Sequence, residues 1–192
     1  MTEKKLAVFF AFYLCCFCVI LWGESNTQDN PAKESQEFRG ALNIRIHRSG
    51  EGLHPPAEIL LIDTKERKTG SDPRLKGIFS EILNSSYESE SIDDAVSGAP
   101  GPVTKIIDLR NPIDEAYVLK IIGIESGRYS LEIRGYDHNL NFSDFKFIDI
   151  EISYDEEHIF TIGYSSEISS DIHVTPPANI KKKIQPALYF SF

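Results

Sequence analysis

Cysteine is almost missing from this chain. There are three, Cys15, Cys16 and Cys18, and all lie close to the N-terminus. Residues 26–192 therefore have no thiol, which excludes disulfides, a thiolate nucleophile and a cysteine-based zinc site from that part. A domain without covalent staples is held by its core and needs adequate size; residues 26–192 suit one domain and not two. Positive charge is also scarce, with 20 Lys and Arg against 29 Asp and Glu, a net charge of −9. Glu3 and Glu24 balance Lys4 and Lys5, so the balance of residues 26–192 is the same. Such a surface argues against nucleic acid, whose binding needs cations to displace counterions, and disfavours anionic lipid. Solubility is its plain consequence. There is no Gly-rich phosphate loop and no alternation of strand with helix, which counts against a nucleotide-binding α/β fold. No Gly-x-Ser-x-Gly nucleophile elbow occurs anywhere.

What is present begins at the N-terminus. Lys4 and Lys5 precede an uncharged run from Leu6 to Trp22, and Gly23 and Ser25 place small residues before a cut at Asn26. This is the layout of a secretory signal peptide over residues 1–25, with a secreted or periplasmic destination. The rival is an uncleaved anchor, since a run of about 17 residues stands at the lower edge of what spans a bilayer. Bacterial lipidation fits poorly, because Cys15, Cys16 and Cys18 follow Leu14, Cys15 and Phe17 and not a small residue. Residues 26–39 are polar and read as a disordered spacer.

From Ala41 the pattern becomes that of short strands. Ala41–His47 alternates apolar with polar, Ala57–Asp63 is a continuous apolar run, and Thr64–Arg67 is a tight turn. Lys68–Pro73 closes that hairpin and breaks regular structure through Gly70 and Pro73. Ile78, Phe79, Ile82 and Leu83 recur at helical spacing, so the stretch Leu75–Tyr87 reads as a short helix or turn packed on the core, and Glu88–Pro102 as a loop. Strands follow at Val103–Leu109, Ala116–Ile124, Arg128–Asp137, Phe145–Tyr154 and His158–Tyr164, separated by turn signals. The expectation is an all-β fold: an antiparallel β-sandwich of about seven to eight strands over residues 40–166. Residues 167–192 form a tail with Lys181, Lys182 and Lys183 and an apolar end from Ala187 to Phe192, an edge strand or a docking segment, and too short to cross a membrane as a helix.

A set of punctuation residues carries a family likeness. Ile59–Asp63, Arg67 and Lys68, Gly70–Pro73, Ser86 and Tyr87, Asn111 and Pro112, Tyr117, Gly123, and Gly127–Leu131 follow an order seen in β-domains of exported bacterial and archaeal proteins. Over about residues 42–165 the chain resembles the accessory β-sandwiches of secreted enzymes and surface proteins, broadly like pre-peptidase C-terminal domains. It departs at Asp114, Glu115 and Ala116, where a Gly usually precedes the Tyr; that touches the turn type and not the fold. The resemblance implies a non-catalytic module.

Candidate chemistry is thin. His47, His54, His138, His158 and His173 show no His-x-x-x-His spacing for zinc. Asp137, Asn139 and Asn141 resemble the opening of a calcium loop, but the sixth and twelfth positions are Phe142 and Ile148, not Gly and Glu; a hairpin turn explains the same residues. Asp63 and Asp72 meet either an ion or their own turn. Acidic residues are abundant, yet nothing pairs two of them for glycoside hydrolysis. Tyr87, Tyr117, Tyr129, Tyr136, Tyr154 and Tyr164 form either a sugar-stacking platform or core and flank packing. Asn84 and Asn141 open glycosylation sequons. The expected function is an exported, non-catalytic module for interaction or structural support at the cell envelope, with no cofactor and a protein or glycan partner, in contact with membrane only through a retained N-terminal segment. The alternative is a carbohydrate-binding module using exposed tyrosines with calcium assistance; a small hydrolase ranks third.

Overall fold

The computed structural model describes residues 37–91, 93, 98–166 and 172–180. The expected signal peptide over residues 1–25, most of the expected spacer over residues 26–39, and residues 167–171 and 181–192 of the tail lie outside them. Eleven strands follow one another: β1 (Ala41–Arg48), β2 (Ala57–Ile62), β3 (Lys68–Asp72), β4 (Gly77–Ser80), β5 (Ser85–Ser91), β6 (Val103–Arg110), β7 (Glu115–Gly123), β8 (Gly127–Tyr136), β9 (Phe142–Ile152), β10 (Glu157–Tyr164) and β11 (His173–Thr175). Sheet A has the order β5-β6-β1-β8-β9 and sheet B the order β11-β10-β7-β2-β3-β4. Every pairing is antiparallel. No helix occurs among the described residues. The fold is an all-β sandwich.

Period-two alternation builds the core. Leu42, Ile44 and Ile46 of β1 point inward while Arg45 and His47 stay exposed. They meet Ile107 and Leu109 of β6, Tyr129, Leu131 and Ile133 of β8, and the inward residues of sheet B: Ile59, Leu61, Leu119, Ile121, Phe160 and Ile162. Phe147 of β9 and Phe160 of β10 meet edge to face across the sheets, 5.1 Å between ring centroids. Each such apolar side chain contributes about 1.5–3 kcal/mol on full burial.

The segment read as a helix or turn, Leu75–Tyr87, is instead β4, a turn and the start of β5. The helical spacing of its apolar residues misleads: Ile82 alone of the four is in the core, while Ile78 and Leu83 are exposed. Four apolar residues in a short run fit either period, and pairing of β4 on β3 decided the matter. Lys68–Asp72 is likewise strand and not irregular, because Gly70 supplies a left-handed residue (φ 124°) where a Cβ would overlap the Ile59 carbonyl. The loop expected from Glu88 starts later, since β5 runs to Ser91 on β6. These three short strands, with β11 on β10, raise the count above seven or eight.

Side chains also tie the sheets together. Lys105 of β6 reaches Glu58 Oε1 of β2 at 2.5 Å and the Ala57 carbonyl at 3.3 Å, and the Tyr87 hydroxyl of β5 donates to Glu58 Oε2 at 2.5 Å. Thr69 and Ser85 hydroxyls meet at 2.5 Å where the chain passes from sheet B to sheet A. The Tyr164 hydroxyl donates to the Tyr136 carbonyl at 2.8 Å. It fills the space beside Gly40, whose φ of 135° and missing side chain the contact requires.

Candidate interaction face

Pairing register decides which polar side chains share a surface. On the outer side of sheet A, Asp108, Asn43, Arg134 and Asp144 form one row across β6, β1, β8 and β9. Ile106, Arg45, Glu132 and Lys146 form the next. Within and between the rows, Asn43 Nδ2 donates to Asp108 Oδ1, Arg45 Nε donates to Asn43 Oδ1 at 2.8 Å, and Lys146 is paired with Glu132. Arg134 lies 3.4 Å from Asp144 Oδ2 and 3.7 Å from Glu132. Burial by itself pushes the Glu132 carboxyl up, but the bond from Lys146 and the charges of Lys146, Arg134 and Arg45 outweigh it and hold the group below its ordinary value. Asp144 Oδ1 and Arg134 Nε are buried without a hydrogen-bond partner.

An aromatic pair stands at the end of these rows. Tyr136 and Phe142 have ring centroids 6.0 Å apart, and the Arg134 guanidinium lies 5.0 Å from the Phe142 centroid. Phe142 is 52 % exposed. Aromatic rings and arginines are the side-chain types that most often anchor protein contacts. Among the described residues of these rows no nucleophile lies beside a general base.

The residues singled out by sequence fall elsewhere. Asp137 Oδ1 accepts from the amides of Asn139 (2.8 Å) and Asn141 (2.9 Å), and Oδ2 accepts from Asn141 Nδ2 (2.9 Å). All three residues are brought together in the hairpin connection between β8 and β9, where the Asp137 carboxylate caps the turn. Asp63 repeats that geometry, accepting from the amides of Lys65 and Arg67 at 2.9 Å. Asp72 takes the Arg74 amide at 2.9 Å, so Asp63 and Asp72 each serve their own turn. Burial raises both Asp63 and Asp137, and the local donors outweigh it, leaving both carboxyls below the usual range.

The histidines do not meet. His47 and His173 are exposed, His54 lies in the connection after β1, and His138 Nδ1 is 3.0 Å from the Ser166 carbonyl. His158 is buried. Among the described residues no three His, Cys, Asp or Glu are grouped to hold a metal ion. Nor do the tyrosines form one platform: Tyr117, Tyr129 and Tyr164 are in the core, Tyr87 is on Glu58, and Tyr154 is exposed. Tyr117 holds the turn after Asn111 and Pro112, its hydroxyl 3.1 Å from both the amide and the carbonyl of Ile113. Burial pushes the Tyr164 hydroxyl up to about 12, helped by Asp114 and Asp137.

Sequence reasoning missed two groupings. One is the Arg134, Tyr136 and Phe142 cluster, whose members meet only through the β8 and β9 register. The other is a relay-like series of Tyr129, His158 and Glu156, with the hydroxyl 2.8 Å from Nδ1 and Nε2 3.0 Å from Glu156 Oε1. Its order resembles that of an activated nucleophile, but Tyr129 has no exposed surface, and the series serves to join sheet A to sheet B. The chain matches no family model, no curated protein and no solved structure.

Proposed function

We propose that this protein is an exported, non-catalytic β-sandwich module that acts by binding a partner at the cell envelope through the outer face of sheet A. The observation that carries this reading is the exposed Phe142 ring under the Arg134 guanidinium, set beside half-buried paired charges. Aromatic and arginine side chains are the commonest anchors of protein contacts, and rim charges add selectivity. The signal-peptide layout of residues 1–25 supports export, and the resemblance to accessory β-sandwiches supports a module without turnover. A photo-crosslinking residue at Phe142 of the full chain, in cells that make the protein, is expected to give a discrete adduct that Arg134→Ala diminishes. The same residue at Ile159, on sheet B, is expected to give none. Equal adducts at both positions, or none at Phe142, reject this face.

Carbohydrate is the second reading, favoured by the Tyr136 and Phe142 pair beside Glu132, Arg134 and Lys146. Sugars use an aromatic ring for their C–H face and charged groups for their hydroxyls. A glycan array separates the two readings: binding lost in Phe142→Ala supports the sugar, and a blank array leaves the protein partner. The start of the exported chain, read by N-terminal sequencing, is expected at Asn26; an intact Met1 end supports a retained anchor.

A further inference from the structure

Arg74 sits in the turn between β3 and β4, yet its Nη2 donates to Glu157 Oε2 of β10 at 2.6 Å. In sheet B, β10 and β3 are separated by β7 and β2. Three inter-strand steps of about 4.8 Å give about 14 Å, further than an arginine side chain extends. The turn cannot lie at the level of the sheet; it must bend over the outer face. The backbone shows where the bend arises. β3 pairs with β2 only from Leu60 to Ile62, while β2 begins at Ala57. The last paired residue, Gly70, has φ 124°, and beyond it β3 leaves its neighbour.

The outer face of β2 and β7 confirms that something covers it. Leu60 and Ile122 are buried, 2 % and 0 % exposed, but belong to no part of the core between the sheets. Register places Leu60 beside Gly70 and Lys120, and Ile122 beside Glu58 and Glu157. These are the positions beneath a turn that reaches from β3 to Glu157. We infer that the β3–β4 hairpin is a strap, folded across the outer face of sheet B over Leu60 and Ile122 and latched on Glu157 by Arg74 and Lys120.

The latch is a shared carboxylate. Glu157 Oε2 takes Arg74, and Oε1 takes Lys120 Nζ at 2.9 Å. Arg74 is held in turn by Asp72, with Nε 3.3 Å from Oδ1. The other charged groups near this row are engaged elsewhere: Glu58 with Lys105 and Tyr87, and Glu156 with His158. Burial raises the Glu157 carboxyl, while Lys120 and Arg74 outweigh it and keep the group ionised below its ordinary range. Acid that protonates Glu157, or salt that screens it, opens the strap and uncovers Leu60 and Ile122 next to the exposed Ile159 and Leu75. The strap is thus a conformational device that presents apolar surface on demand.

Hydrogen exchange of the full chain tests it, with the amides from Ser71 to Phe79 as the signal and those of β1 and β8 as reference. Glu157→Gln at neutral pH is expected to speed hairpin exchange by about fivefold, as is about 1 M salt on the unsubstituted chain, with the reference strands unchanged. Arg74→Gln combined with Glu157→Gln is expected to exchange no faster than the faster single variant, because each breaks the Arg74–Glu157 bond that closes the latch. Unchanged hairpin exchange, equal loosening of β1 and β8, or additive effects in the double variant would each overturn the strap.

Discussion

The Tyr129 hydroxyl of β8 and Nδ1 of His158 on β10 lie 2.8 Å apart, a direct hydrogen bond from one sheet to the other inside the core. The rings are tilted at 41° with centroids 5.9 Å apart. In the neutral ring a proton on Nε2, donated to Glu156, leaves Nδ1 to accept the tyrosine proton. Tyr129→Phe removes the donor and strands Nδ1 in apolar surroundings. The expected loss of stability is about 1–3 kcal/mol in urea unfolding. An unchanged midpoint would mean that the two groups do not interact.

Acid is expected to destabilise the fold through named carboxyls. The Ser153 amide, then His158, holds Glu156 below its ordinary value of 4.5. Asp63, Asp137 and Glu157 are also depressed, in each case because donors outweigh burial. A carboxyl whose pKa is lower folded than unfolded contributes stability in full above its unfolded value, and loses it as pH falls through the folded value. Unfolding free energy is therefore expected to be level near neutrality and to decline from about pH 4.5 downward. Asp137→Asn is expected to make that decline shallower, read from urea midpoints against pH.

Leu140 occupies a left-handed conformation, φ 66°, in the hairpin loop that Asp137 caps, with its side chain 65 % exposed. A branched side chain is unfavourable there and packs on little. Leu140→Gly is expected to raise stability by about 0.5–1 kcal/mol with an unchanged denaturant slope. A loss would show that Leu140 makes a contact that outweighs its backbone cost.

The buried pair of Lys105 and Glu58 gives a sharper contrast. Lys105→Met leaves Glu58 with the Tyr87 hydroxyl alone, and a loss of about 3 kcal/mol is expected. Lys105→Met with Glu58→Leu removes both charges and is expected to recover most of it. A double variant as unstable as the sum of the single ones would rule out a direct charge pairing.

Much of the candidate face was invisible in the linear chain. Arg134 and Phe142 are separated by a turn whose length sets which residues become neighbours, and one step of register moves every side chain to the other face. The turn residues, by contrast, were legible. Asp63 and Asp137 act within four residues of themselves, so their hydrogen bonds follow from local geometry and need no partner strand.

Alternation along Ala41–His47 and the strands after Val103 was enough to determine an all-β chain, because a period of two buries one face whatever the neighbours are. Composition alone removed cysteine chemistry from residues 26–192. Tertiary structure decided the rest. It placed β4 and the start of β5 within Leu75–Tyr87, since pairing supplied the hydrogen bonds that a weak local period could not. It buried Tyr129 and His158 against each other and left Phe142 in solvent, because position in the stack, and not residue type, determines which polar and aromatic groups meet water.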